Sequence, residues 1–174
     1  MAVILAYGSP ALGHLLPVNA LLCELAERGH RVHLRTMADE VARIRQSGVD
    51  AEPVDPRIEA LVGRDWLARN ALDVLKMSID VLCRRAVFEV GDLRTAIDRV
   101  RPDAVIVDAN CWGAMSVAEA ADVPWLVFSP FTPYLRSRGV PPFGPGLRPL
   151  PGILGDIRDA SMRPFVKRLF DRPI

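Results

Sequence analysis

Paired cysteines, a basic field and a bilayer-length apolar run are all missing from this sequence of 174 residues. Its three cysteines, Cys23, Cys83 and Cys111, stand far apart with no CxxC pair. That argues against a structural zinc site and against a disulfide framework. Charges nearly cancel, 22 Lys and Arg against 21 Asp and Glu, so nothing asks for nucleic acid or an anionic membrane. Lysine is scarce, Lys76 and Lys167 alone, while arginine and alanine abound; this reads as a coding bias and says little about chemistry. No apolar run approaches the length that spans a bilayer. The opening Met1-Ala2-Val3-Ile4-Leu5-Ala6-Tyr7 has no basic residues before it and is broken by Gly8-Ser9-Pro10, so it reads as a buried strand rather than a signal peptide. What is there is half apolar and a quarter charged, enough for one ordinary domain with a sizeable core. The composition describes a reduced, soluble, cytoplasmic domain.

Strand and helix patterns alternate along the chain. Residues 2–7 form a continuous apolar run, as in a parallel strand covered on both faces. A small-residue loop, Gly8 to Gly13, leads into a helix expected from His14 to Arg28. Val18, Leu21, Leu22 and Leu25 recur there at helical spacing, and Gly29 stands just past its end. Residues 31–36 read as a second strand, 39–46 as a short helix and 50–54 as a third strand. From Ile58 to Val100 the pattern is helical, in two pieces broken near Gly91. Strands at 104–108 and 125–128 flank a small-residue helix at 113–121. This order predicts an open, doubly wound parallel sheet of Rossmann-like α/β type, with strand order 3-2-1-4-5. Residues 130–152 hold seven of the fifteen prolines and four glycines, too many for a helix or a central strand. Phe131, Tyr134 and Phe143 are set among them, which favours a loop packed over a pocket rather than a linker. A last helix is expected over 153–170, with Ile153, Ile157, Phe165, Leu169 and Phe170 as its apolar members.

The loop after the first strand lacks the glycine pattern of a dinucleotide site. Pro10 occupies the second glycine of GxGxxG, removing an N–H and adding bulk. His14 stands where a phosphate-binding GxxxxGK[ST] loop needs lysine. What remains is a histidine at a helix start, where the macrodipole disfavours the imidazolium and keeps the ring able to accept a proton. Asp108 closes the fourth strand. With the strand order above, the two flank the crevice at the switch point, where ligands gather in such sheets. A carboxylate on one ring nitrogen orients the imidazole and stabilises the cation formed when the other takes a proton. His14 and Asp108 are therefore candidates for a dyad that deprotonates a hydroxyl. Capping or packing is the competing role for His14, and a helix cap or turn former for Asp108. His30 and His33 gain no such support and read as structural. A reactive Cys111 has no base after it in the sequence. Trp66, Met77, Trp112, Phe131 and Tyr134 are candidate walls of an apolar pocket, with core packing as the alternative for each.

Two stretches resemble a known family. The first strand, then Gly13-His14-Leu15-Leu16-Pro17 and Leu25-Ala26-Glu27-Arg28-Gly29-His30-Arg31-Val32, is similar to the opening of family 1 glycosyltransferases, two-domain enzymes of GT-B architecture. Val107-Asp108-Ala109-Asn110-Cys111-Trp112, continuing through Ala118-Glu119-Ala120-Ala121-Asp122-Val123-Pro124, resembles their second landmark, in the manner of bacterial enzymes that glycosylate macrolides and aromatic polyketides. The resemblance implies that residues 1–174 are the N-terminal acceptor-binding domain, with 130–152 as its acceptor loop. It implies His14 as general base and Asp108 as its partner, in an inverting in-line transfer from a UDP- or TDP-sugar. No metal and no cofactor are implied, because the diphosphate is held by groups of the other domain. Ser9 and Gly13, together with Trp66, Met77, Trp112, Phe131 and Tyr134, would line a pocket for a hydrophobic small-molecule acceptor. The C-terminal donor domain of the family has no counterpart here, and no strand-like run follows Phe170. On this resemblance the chain alone is expected to bind acceptor without turnover, and to meet a nucleotide sugar only with a C-terminal domain or a partner chain. Two other readings are one half of a split, two-subunit glycosyltransferase, and a non-catalytic accessory or ligand-binding protein.

Overall fold

The computed structural model describes residues 1–131 and 139–171. Tyr134, and the side chains of Leu169 and Phe170, lie outside the described residues. The chain divides into two compact units, one of residues 1–61 and 84–131, the other of residues 62–83 and 132–174.

The first unit holds a five-stranded parallel sheet in the order β3-β2-β1-β4-β5, as the alternation of elements predicts. Its strands are β1 (Val3–Tyr7), β2 (Arg31–Thr36), β3 (Asp50–Pro53), β4 (Ala104–Asp108) and β5 (Trp125–Phe128). Helix α1 (Leu12–Glu27) joins β1 to β2, and α2 (Val41–Gln46) joins β2 to β3. After β3 come α3 (Pro56–Ala60) and α4 (Ala71–Val100), and α5 (Trp112–Ala120) joins β4 to β5. Side chains of a strand alternate between faces, so a covered sheet needs apolar residues at every position of its central strands. Leu5, Tyr7, Val105 and Val107 pack with Leu93 and Ala96 of α4 and with Ala114, Val117 and Ala118 of α5. Ile4, Ala6 and Ile106 face the other way, onto Leu15, Val18 and Leu22 of α1 and Ile44 of α2. Each fully buried leucine among these is worth roughly 2–3 kcal/mol of transfer free energy. At the edge of the sheet the cover thins: Leu126 and Val127 of β5 are exposed.

Three expectations are corrected. Leu21, counted as a core position of α1, is exposed, and Leu15 takes its place in the core. The helix also starts at Leu12, two residues before His14. Most instructive is α4, one helix of 30 residues that runs straight through Gly91. A helical glycine costs only about 1 kcal/mol relative to alanine. Leu93 and Ala96, buried on the following turns, outweigh that cost by packing.

In the second unit, Leu75 and Ile79 on the first turns of α4 are buried, as are Val166 and Asp159 of α6 (Ile153–Asp171). Asp159 accepts hydrogen bonds from the Arg158 guanidinium at 2.7 and 2.9 Å. Residues 139–152 carry neither helix nor strand. Gly144 sits at φ +110° beside the Leu75 side chain, a backbone conformation that favours glycine. Ile153, Ile157 and Phe165, expected as the apolar members of α6, are exposed.

Candidate active site

Parallel pairing of β1 with β4 sets Tyr7 opposite Val107, so the two strands finish side by side. Asp108 is the last residue of β4, and His14 follows β1 across the short loop into α1. His14 lies in the first turn of α1, behind Ala11 as an extended N-cap without a side-chain cap and with no acidic residue in that turn. Its Nδ1 lies 3.0 and 2.9 Å from the two carboxylate oxygens of Asp108. A carboxylate only accepts, so Nδ1 carries the ring proton and Nε2 keeps its lone pair. Asp108 is sealed, its side chain 1% exposed, whereas that of His14 is 16% exposed. The carboxylate is shut away from water and the ring reaches toward it.

Asn110 completes the cluster from the loop between β4 and α5. Its backbone N–H donates to Asp108 Oδ1 at 2.9 Å. Its amide nitrogen is 3.3 Å from His14 Nε2, where it donates to the lone pair. Phe131 stands edge-on to the imidazole, ring centroids 5.6 Å apart. Nothing in the spacing of the sequence singled out Asn110, although it lies inside the second family-like stretch.

A second set of polar groups is buried against the same end of the sheet. Tyr7 donates its hydroxyl to Asp92 at 2.8 Å. Burial and the Asp92 carboxylate push that phenol far above its ordinary range, so it stays a neutral donor. Asp92 also pairs with Arg35, and Arg35 with Glu52 at 3.1 Å. Glu89 of α4 is fully buried. Its Oε2 accepts from the backbone N–H groups of Gly113 and Ala114 at 2.9 and 3.4 Å. Burial pushes the Glu89 carboxyl up to about 7, against the lowering effect of those two hydrogen bonds. Sequence patterning could not find these residues, because acids on α4 look alike until their partners across the fold are known.

The other candidates fall in different places. Ser9 is buried in the loop after β1. Gly13 is exposed, and a side chain added there would meet nothing within 4 Å. Trp112 is the first residue of α5 and half-buried. These three share a unit with the dyad, as does Phe131. Trp66 and Met77 belong to the other unit, Met77 half-buried and Trp66 69% exposed, so core packing does not explain Trp66. Cys111 is fully buried and its thiol is pushed well up by burial, which removes it as a nucleophile. His30 accepts from the Ala2 N–H at 3.3 Å, and His33 pairs with Asp50 at 2.9 Å. Among the described residues no three His, Cys, Asp or Glu side chains gather where they could hold a metal ion. Nor, among them, is any helix long and apolar enough to cross a membrane.

No family model matches the chain. It is similar to 4'-demethylrebeccamycin synthase of Lentzea aerocolonigenes, 25% identical over 183 aligned positions that take in 99% of this chain and 43% of that protein. Among solved structures it resembles the glycotransferase of kitacinnamycin, with a TM-score of 0.63 and 24% identity over 99% of this chain and 36% of that one. It also resembles the Streptomyces sp. SF2575 glycosyltransferase SsfS6 in its complex with thymidine diphosphate, with a TM-score of 0.61 and 18% identity over 74% of this chain and 38% of that one. The chain thus spans less than half the length of these relatives. Sheet order, helix placement and these likenesses agree: the chain has the fold of the N-terminal Rossmann-like domain of GT-B glycosyltransferases.

Proposed function

We propose that the chain supplies the acceptor site and the catalytic base of an inverting glycosyltransferase acting on a hydroxyl of a hydrophobic small molecule. The observation that carries this reading is the pairing of His14 Nδ1 with the buried Asp108 carboxylate, which leaves Nε2 as the basic nitrogen. The acceptor hydroxyl replaces the Asn110 amide at Nε2 and gives its proton to that nitrogen. Its oxygen attacks the anomeric carbon of the sugar as the bond to the nucleoside diphosphate breaks on the opposite face. One displacement inverts the centre, and the diphosphate leaves with the bonding electrons. Asp108 holds the ring in the productive tautomer and stabilises the imidazolium.

Phe131 beside the ring and the open space at Gly13 suit an apolar acceptor close to the base. The likeness to a rebeccamycin-type synthase and to a glycosyltransferase of kitacinnamycin supports a natural product in that role. The thymidine diphosphate complex of SsfS6 supports a nucleotide sugar as donor, held by a domain outside these residues.

The test is turnover by the chain together with a donor-binding domain, read as nucleoside diphosphate released from a nucleotide sugar in the presence of hydroxylated aglycones. His14→Ala should lower kcat by about two to four orders of magnitude, the scale of losing a general base. A variant that turns over at the parent rate would overturn the assignment.

A further inference from the structure

Asp108 ends β4 opposite Phe128 of β5, whereas the loop 109–111 that follows it is short and anchored only in part by its own residues. Ala109 donates its N–H to Phe128 and Cys111 donates to the Asp108 carbonyl, both at 2.9 Å. Helix α5 then begins behind Cys111, which offers no side-chain cap and sits at φ −105°, ψ 73°. The first N–H groups of a helix have no partner within it, and burying them unpaired costs about 1–3 kcal/mol each. In most helices a Ser, Thr, Asp or Asn just before the first turn supplies the acceptor. Here the acceptor comes from 24 residues earlier in the chain.

Glu89 reaches across from α4 and accepts with one oxygen from both Gly113 and Ala114. The approach is possible because Gly113 has no side chain: a Cβ there would collide with the backbone of Ala86, one turn before Glu89. Helices α4 and α5 are therefore locked backbone to backbone at the point where the carboxyl bridges them. Glu89 Oε1 is buried without a hydrogen-bond partner. A carboxyl kept in place at that cost points to a role that an apolar residue of similar size could not fill.

We propose that Glu89 is a positioning residue for the His14–Asp108 pair: acting as a cap supplied in trans by α4, it fixes the start of α5 and thereby the loop 109–111 that leaves Asp108 and bears Asn110. The inference rests on the dyad reading above. Glu89 touches neither ring nor acceptor; it acts through four residues of backbone.

The test uses the full chain and needs no substrate. It contains three histidines, so the imidazole nitrogens of His14 can be assigned in a 15N spectrum. The parent protein should show His14 with its proton on Nδ1. Glu89→Ala should accelerate amide exchange at Gly113 and Ala114 at least tenfold relative to the β1 amides, and transfer part of the His14 population to the Nε2–H form. Glu89→Gln, which keeps the acceptor oxygen, should preserve both signatures. Glu89→Asp, one methylene short, should lose them in part and serves if the alanine variant does not fold. Leu93→Ala is the control, a cavity in the same helix that lowers Tm and leaves both signatures alone. The proposal is overturned if the Glu89 variants lose only Tm, as Leu93→Ala does, or if Glu89→Gln behaves like Glu89→Ala. Full turnover by His14→Ala would remove the base assignment while the exchange at Gly113 still reported the cap, so the two readings fail separately.

Discussion

Asp108 shows how much chemistry one atom can decide. Its two oxygens both lie within hydrogen-bond distance of His14 Nδ1, and one of them also accepts from the Asn110 N–H. An amide at this position has nearly the same shape but can donate. Asp108→Asn should turn its NH2 toward Nδ1, move the ring proton to Nε2 and leave no lone pair facing the acceptor. We expect kcat to fall by about 10^3 to 10^4, the cost of a wrong tautomer in histidine-dependent catalysis, with Tm nearly unchanged. Steady-state kinetics beside a thermal melt checks both halves of the prediction. Parent-like kcat in this variant would mean that Asp108 does not set the tautomer. The pair itself was legible in the sequence because His14 opens the helix after β1 and Asp108 ends β4, two strands that a doubly wound sheet brings together. Asn110 was not, since its place depends on how the loop turns back over the ring.

At the level of elements, glycine shows the limit of local reading. Gly91 lies inside α4, where a side chain would meet nothing within 4 Å. The sequence reading placed a break there because glycine is a poor helix former. The helix continues because the burial of its neighbours is decided by tertiary packing, which local propensity does not contain. Gly91→Ala should therefore stabilise the protein by roughly 0.5–1 kcal/mol, measured by chemical denaturation. Gly113 is the opposite case, with its neighbour a backbone carbonyl that cannot step aside. Gly113→Ala should force α5 off α4 and cost about 1–3 kcal/mol, the range for overpacking a closed contact. The same substitution thus carries opposite signs at two positions of one chain. A finding of equal effects would show that the α4–α5 contact is looser than the structure has it. That α5 would be small-residue was legible from Gly113-Ala114; that the space was needed for Ala86 and Glu89 was not, because nothing in either stretch names the other.

Over the whole molecule, one buried proton links stability to pH. Glu89 titrates near 7 in the folded chain and near 4.5 when exposed, and burial is the main cause. Arg85 and the two N–H donors favour its ionised form, whereas Asp108 disfavours it. Cys111 and Tyr7, whose own ionisation Glu89 opposes, stay neutral across this range. A carboxyl whose folded pKa is raised stabilises the fold most when protonated. Between about pH 4.5 and 7 the folded state holds this proton and the unfolded state has lost it, so stability falls as pH rises. Above 7 both states are ionised and the dependence on this group stops. At about 1.4 kcal/mol per pH unit, the span from 4.5 to 7 is worth about 3 kcal/mol. Asp55 acts in another window: its partner Arg57 holds it down to about 2, so its contribution is lost only as pH falls below about 4. Comparing the parent with Glu89→Gln cancels Asp55 and every other common group. The difference in unfolding free energy, parent minus variant, should decline from pH 4.5 to 7 by up to about 3 kcal/mol and be flat beyond pH 8. Denaturant melts at half-unit steps would show it. A pH-independent difference would mean that the two N–H donors and Arg85 offset the burial of the Glu89 carboxyl in full.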